Sequence, residues 1–381
     1  MSHELRKAGT RLGVVVLAGP DNGGTYQYTL STLQALRHTT GFAVTLYGDP
    51  DNPELRTLGF PISPFSESRK DQLRALAAYR LGVRLSDPFA SEDVLLAPIY
   101  ALTLLHTSKP FAFTLHDLQE RYYPENFSLL QRTWHHQVYV ALLARACRVI
   151  CESRYVQADI VRFFGIDKEK VAVTAAPPQK QFFNSQSGEQ LAAARARLKL
   201  PEKFLFYPAQ FWAHKNHLRL IEAFAGVAAE VSDVKLVLTG KKRDEYATVM
   251  AAVDKLGLRE KVLHLGFLET ADLQSVYQLA TALVMPSLFE SVSIPIYEAF
   301  QVGTPVAASN ILAIPEQVGD AALLFDPTSV ASIKEAMLTL LKDPQTAEAL
   351  VARGKARMSK MTPERYGAEL QDVLRQLQQA P

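Results

Sequence analysis

Short β-branched and apolar runs alternate with longer segments of helical period along almost the whole chain, and this alternation restricts the fold more than any other feature. Parallel strands need long crossover connections, usually helices, so the pattern predicts parallel sheets covered by helices: an α/β protein. In the first half, strands are expected near residues 11–18, 42–47, 93–97, 111–115, 148–152 and 171–174. In the second half they are expected near 204–207, 235–239, 262–265, 282–285, 305–308 and 322–325. Two doubly wound sheets of similar size follow. Between them, residues 175–188 hold Pro177, Pro178, Asn184 and Gly188 among several Gln and Ser, which is linker chemistry. The expected division is an N-terminal domain over 1–182, a second domain over 183–362, and a C-terminal helix over 363–381 able to pack back on the first. Helices are predicted over 329–342, 345–358 and 363–378, with no strand after them. Domains of this type bind ligands where loops leave the carboxyl ends of the strands, so two facing domains would hold a cleft.

Composition narrows the function. The chain has 381 residues with 41 basic and 39 acidic side chains, a net charge of +2, and 48% hydrophobic types. That length buries an ample core without staples, and the mixture excludes disorder, collagen and disulfide scaffolds. Neutralising a phosphate backbone needs a basic surplus, so no nucleic-acid partner is expected. Cys147 and Cys151 suit neither a disulfide framework nor a zinc site and read as buried small hydrophobes. The stretch from Met1 to Arg11 is polar, and the apolar run from Val14 to Ala18 stops at Gly19, short of a signal peptide or a spanning helix. The expected location is the cytoplasm, with a peripheral position at the inner face of the membrane as a variant of it.

Candidate chemistry clusters at the predicted strand ends. The first strand runs through Gly19, Pro20, Asp21 and Asn22 into Gly23 and Gly24, whose backbone amides could approach an anion at the start of a helix near Thr25. A tight strand-to-helix turn is the competing reading. The fourth apolar run ends in His116 and Asp117, an imidazole and a carboxylate where a site is favoured; a core or surface histidine competes. In the second half, Gln210 to Asn216 hands a strand over to a helix, and Lys215 stands there either as a point charge for a diphosphate or as a solvated lysine. The richest segment runs from Met285 to Pro305. It parses as strand, loop, helix and strand, with Ser293 placed to cap the helix, Pro295 in its first turn and Gly303 ending it. Glu290 in the loop and Glu298 one turn into the helix would face one cleft, while Ser293 and Ile294 would offer free amides at a positive helix end.

Glu290 and Glu298, in P-S-L-F-E-S-V-S-I-P-I-Y-E-A-F-Q-V-G-T-P-V, resemble the E-x7-E signature of the retaining GT-B glycosyltransferases of family 4. The likeness extends through Gly23-Gly24, His116-Asp117, Lys215-Asn216 and residues 318–327, most of the chain in the right order. The resemblance implies two Rossmann-like domains of the GT-B fold holding a nucleoside diphosphate sugar. It implies His116, Lys215 and Glu290 as catalytic residues: Lys215 on the diphosphate, Glu290 on hydroxyls of the donor sugar, His116 beside that sugar. It further implies donor contacts from Gly23, Gly24, Gln210, Asn216, Ser293, Ile294 and Glu298, the last of these accepting from the ribose hydroxyls. It places Asp117 as an acceptor contact; for Arg121, Tyr122, Tyr123 and the His135-His136 pair, lining of the acceptor side and helix packing are equal explanations.

Departures from the family pattern bear on the donor. Gln210 stands about five residues before Lys215, where the family usually carries Arg; E-S-V-S replaces E-G-F-G; and Ala176-Pro177-Pro178-Gln179 replaces N-G-V-D. The implied activity is transfer of a hexose, mannose first and glucose or N-acetylglucosamine next, to a hydroxyl of a glycan or lipid-linked acceptor. Configuration at the anomeric carbon would be retained, through front-face attack in which the departing phosphate takes the acceptor proton. An epimerase or hydrolase on the same scaffold, or a non-catalytic nucleotide-sugar-binding subunit, are the alternatives. No metal is expected, Asp49-Pro50-Asp51 reading as turn chemistry. Basic residues over 68–84 around Leu73, Leu76 and Leu81 fit contact with anionic lipid or a solvated helix, and the assembly is expected to be a monomer or homodimer.

Overall fold

Among the described residues thirteen strands lie in two all-parallel sheets, one in each of two units. The computed structural model describes residues 9–379; Met1 to Ala8, the start of the polar N-terminal stretch, lie outside the described residues. The first unit comprises the chain up to Pro177 together with Thr362 onward, and the second comprises Pro178–Met361.

The first sheet contains β1 (Thr10–Val15), β2 (Phe42–Gly48), β3 (Ile62–Pro64), β4 (Val94–Ala97), β5 (Phe111–Thr114), β6 (Arg148–Cys151) and β7 (Val171–Val173), in the order β3-β2-β1-β4-β5-β6-β7. At its centre Val14 is in register with Leu46 of β2 on one side and Leu96 of β4 on the other. Alternate residues of β1 serve different layers. Leu12 and Val14 join the core under the helix Gly24–Ala35, whereas Val15 joins the core under the helices Leu129–Arg145 and Arg154–Phe164. Both faces are therefore covered, which is why the strands read as near-continuous apolar runs. The edge strand β3 was not expected; three residues ending in proline carry no alternation to read. Cys151 is buried as expected, but Cys147 is only partly so.

The second sheet contains β8 (Phe204–Pro208), β9 (Lys235–Thr239), β10 (Val262–His264), β11 (Ala282–Met285), β12 (Val306–Ser309) and β13 (Leu323–Phe325), in the order β10-β9-β8-β11-β12-β13. Phe204, Leu205, Phe206 and Tyr207 of β8 are wholly buried, each stabilising the unit by about 1.5–3 kcal/mol relative to exposure. The change of unit falls between Pro177 and Pro178, whereas the sequence places it after Phe182. The reason is Phe182 itself, fully buried in the second core with its ring 5.8 Å from that of Tyr277.

The helix Pro363–Gln378 belongs to the first unit. Tyr366, Leu370, Val373, Leu374 and Leu377 form one buried stripe at helical spacing. Tyr366 Oη lies 2.9 Å from Thr32 Oγ1, and Gln371 accepts from the Thr40 amide at 3.1 Å. The approach is closest at Gly367, where a Cβ would stand 2.7 Å from the carbonyl oxygen of Ala35 and 2.9 Å from Cβ of His38. Gly367→Ala should therefore lower the stability of the unit by about 1–3 kcal/mol despite the better helix propensity of alanine. Urea unfolding would measure it; a gain in stability would show that the two helices separate freely.

Candidate active site

In the second unit the chemistry gathers where β8 and β11 end. After β8 the chain makes a short turn over Ala213–Lys215 and then enters the helix His217–Glu230 through Asn216, whose backbone is left-handed (φ 59°). The Asn216 side chain pins this corner: its amide donates to the carbonyls of Pro286 (2.9 Å) and Pro327 (2.8 Å), and its Oδ1 accepts from Arg219 (3.0 Å). Tyr207, fully buried, donates to the Lys215 carbonyl at 2.8 Å and lies 3.1 Å from Ser287 Oγ. The Leu288 amide donates to the His214 carbonyl at 2.7 Å, joining the loop after β11 to the loop after β8. These ties bring Lys215 Nζ to 2.6 Å from Glu290 Oε1. The pair is largely buried, with side-chain exposures of 21% and 10%, so each charge depends on the other for compensation. Burial, with the Lys215 charge next to it, pushes the His214 imidazole down to about 3 and keeps it neutral.

The helix Ile294–Val302 follows, ended by Gly303 as expected. Ser293 takes the N-cap position, but its hydroxyl makes no capping bond and is buried without a partner. Its amide is not free either: it donates to Gln317 Oε1 at 2.9 Å, while Gln317 Nε2 returns a bond to the Ser293 carbonyl at 2.7 Å. The proline at the second helical position has no amide, and among the described residues the Ile294 amide before it donates to no protein acceptor. Glu298 is buried, 2.7 Å from the Tyr277 hydroxyl that donates to its Oε2, and its Oε1 has no partner. Burial pushes this carboxyl up to about 7, against the smaller opposing effect of the Tyr277 bond. Gln210, at the end of β8, accepts a bond from Arg243 Nε at 2.7 Å. Tyr277, Gln317 and Arg243 went unread in the sequence. Arg243 alone left a trace, a basic triplet following a strand-end glycine.

In the first unit His116 follows β5, and Glu152 follows the neighbouring β6. The imidazole sits between two acceptors, Glu152 Oε2 at 3.0 Å from Nδ1 and the Pro98 carbonyl at 2.9 Å from Nε2. Burial opposes its charge, but the bond to Glu152, that carboxylate's charge, Asp117 and the Pro98 carbonyl together raise its pKa above the ordinary value. With both ring nitrogens facing acceptors, His116 is placed to donate at each, a geometry that suits a hydrogen-bond donor better than a base. His116 and Asp117 line a cavity of about 570 Å³ together with Gly19, Asp49, Glu67 and Tyr100.

Gly23 and Gly24 are not among the residues lining it. A 3-10 turn over Pro20–Asn22 intervenes, and Gly23 becomes the left-handed N-cap of the helix Gly24–Ala35. Arg121 and Tyr122 also stand apart from the cavity: Arg121 bonds His136 (2.9 Å), and Tyr122 donates to Asp159 (2.7 Å). His135 faces Glu120 at 3.8 Å, and His136 stacks on Phe164. Asp49 accepts from the Asp51 amide at 2.9 Å, a turn closure, and Asp51 pairs with Arg56. Among the described residues no group of three His, Cys, Asp or Glu side chains is placed to hold a metal ion.

Two family descriptions match the chain in sequence: "Glycosyl transferases group 1" over residues 191–357 and "Glycosyltransferase Family 4" over 22–175. The chain is a GT-B glycosyltransferase. It is related to the group 1 and family 4 enzymes and, as one of that class, draws on a nucleoside diphosphate sugar. Among its relatives, the O-antigen chain mannosyltransferase B of Escherichia coli is 26% identical over 66% of this chain and 67% of that protein. The O-antigen chain mannosyltransferase RfbU of Salmonella typhimurium is 24% identical over 86% of this chain and 89% of its own. The crystal structure of Anabaena HepE in complex with UDP and glucose superposes with a TM-score of 0.77 at 18% identity, covering 96% of this chain and 99% of that one.

The buried carboxyl of this glycosyltransferase links its stability to pH. An unfolded Glu298 titrates near 4.5 and the folded one near 7, so between those values the folded protein holds the extra proton. Stability is complete below that window and falls as pH rises through it, by up to about 3 kcal/mol. Glu298→Gln should flatten the decline in urea stability between pH 5 and pH 8; an equally steep decline in the variant would contradict the shift.

Proposed function

We propose that the enzyme transfers a mannosyl group from a nucleoside diphosphate sugar to a hydroxyl of a growing glycan or lipid-linked saccharide, with retention at the anomeric carbon. The observation that carries this reading is the buried Lys215–Glu290 pair at the ends of β8 and β11, with Glu298 one turn into the next helix. Mannose is favoured because the O-antigen relatives are named as mannosyltransferases. In the reaction the sugar becomes oxocarbenium-like while the leaving diphosphate gains charge. Lys215 and the Ile294 amide would strengthen their contacts as that charge develops. Glu290 is held by an ammonium, which suits an orienter of sugar hydroxyls better than a nucleophile. Glu298, with one oxygen unpartnered, suits a pair of donating ribose hydroxyls. The departing phosphate takes the acceptor proton, since His116 faces acceptors at both ring nitrogens.

The acceptor hydroxyl is assigned to the cavity beside His116 and Asp117 in the first unit. Attachment to a lipid carrier at the inner face of the membrane fits the helix Arg69–Arg80. Arg69 lies over Trp134 and Arg80 bonds Gln137, while Lys70, Arg74, Leu73, Leu81 and Val83 remain exposed. Among the described residues no helix is long and apolar enough to cross a membrane.

Lys215→Ala should cut turnover at least tenfold, whereas Asp117→Asn should chiefly raise the acceptor KM. Wild-type turnover in Lys215→Ala would remove the central role assigned here. NMR of the first-formed product should show the anomeric configuration of the donor, and a thermal-shift panel of GDP-mannose, UDP-glucose and UDP-N-acetylglucosamine should favour the first, the stabilisation being about 2.7 kcal/mol at 100 times the dissociation constant. Co-sedimentation with phosphatidylglycerol vesicles should fall on raising the salt and on Lys70→Glu with Arg74→Glu; no binding at low salt would dismiss the membrane contact.

A further inference from the structure

A nucleoside diphosphate sugar brings two negative charges on its diphosphate. The ammonium of Lys215 is already opposed by Glu290 at 2.6 Å, so the pair offers almost no net charge to neutralise them. A further cation is required near the end of β8. Arg219 does not qualify: its guanidinium bonds Asn216 and bears on Asp326.

The loop after β9 presents Lys241, Lys242 and Arg243 in succession. Lys241 Nζ lies over the Phe267 ring at 5.5 Å, and Lys242 Nζ over Tyr246 at 4.6 Å. Arg243 is oriented differently. Its Nε donates to Gln210 Oε1 at 2.7 Å and its guanidinium lies over the exposed Trp212 ring at 5.0 Å. Among the described residues, no protein group bonds its two terminal nitrogens, and no carboxylate stands within ion-pair distance. Gln210 and Trp212 belong to the same short loop that delivers Lys215, whose amide donates to the Trp212 carbonyl at 2.9 Å.

The backbone holds the two loops together. The Phe211 amide donates to the Lys241 carbonyl at 3.3 Å, and the Glu245 amide to the Phe211 carbonyl at 3.1 Å. Gly240 makes the approach feasible: its φ is +120°, and a Cβ there would lie 2.5 Å from the Ala209 carbonyl oxygen. The result is a guanidinium half-anchored through Nε, with its outer edge left for two parallel bonds to an anion, the geometry in which arginine recognises phosphate.

We propose that Arg243, steadied by Gln210 and Trp212, is a second diphosphate-binding cation of this enzyme, supplied by the β9 loop to act beside Lys215. Gln210 is then a positioning residue that accepts from the guanidinium in place of carrying a charge itself. This assignment rests on the nucleotide-sugar reading above, and its test separates the two.

Binding of GDP, UDP, GMP and UMP is measured by calorimetry on the full chain, for wild type, Arg243→Met, Arg243→Lys and Lys215→Ala. Methionine keeps an apolar stem over Trp212 and removes the charge. Arg243→Met should bind the preferred diphosphate at least tenfold more weakly but the matching monophosphate within about threefold, with the smaller loss in Arg243→Lys. Adding Gln210→Arg to Arg243→Met should recover most of the diphosphate affinity. An unchanged thermal midpoint without ligand certifies the fold of Arg243→Met, and Arg243→Lys serves should that variant not fold. Diphosphate affinity within twofold of wild type in Arg243→Met, while Lys215→Ala loses it, would overturn the role of Arg243 alone. Equal losses for mono- and diphosphate would overturn it as well. Wild type binding none of the four nucleotides would instead overturn the nucleotide reading beneath it.

Discussion

Every strand pair in both sheets is parallel, and the placement of the chemistry follows from that constraint. In a parallel sheet all carboxyl ends meet one edge, so loops distant in sequence are delivered side by side. In the second unit β8 lies between β9 and β11, which puts the loops carrying Lys215, Arg243 and Glu290 next to each other although they leave the chain at widely separated points. In the first unit β5 and β6 are neighbours, and His116 meets Glu152 by the same route. The helices cover the faces and keep the strands dry, and the strand ends retain the polar groups.

The two units treat charge differently. In the second, an ammonium and a carboxylate compensate each other under substantial burial, and a second carboxyl close by is kept largely protonated at acidic pH by lack of solvent. In the first, a histidine whose pKa its neighbours raise lies between two acceptors at the wall of a cavity. A carboxylate already paired with lysine also explains why hydrogen-bond acceptance, not covalent attack, is the chemistry that Glu290 suits.

Much of this was legible in the residues themselves. Twelve of the thirteen strands announce themselves as apolar runs, because burial on both faces removes the polar alternation that would blur them. Lys215, Glu290 and Glu298 drew attention in the sequence through the loop and helix starts that follow strands and through the E-x7-E spacing, and the structure brings Lys215 and Glu290 into one ion pair. What escaped was pairwise. Tyr277, Gln317, Glu152 and Arg243 matter through what they touch across the sheet, and strand order is not written in local composition. The Ser293 amide illustrates the limit, since the helix start was evident but the Gln317 side chain that occupies its donor comes from another element. Phe182 shows the same for boundaries, a core residue set in a segment whose composition is that of a tether.

The helix Pro363–Gln378 carries one more consequence. Because this helix completes a unit whose other residues precede the second unit, that unit cannot be finished during synthesis until the intervening residues have left the ribosome. The second unit is contiguous and can close first. Meanwhile the groove awaiting Tyr366, Leu370 and Leu374 stays open on the nascent protein, an apolar face left to water until this helix arrives.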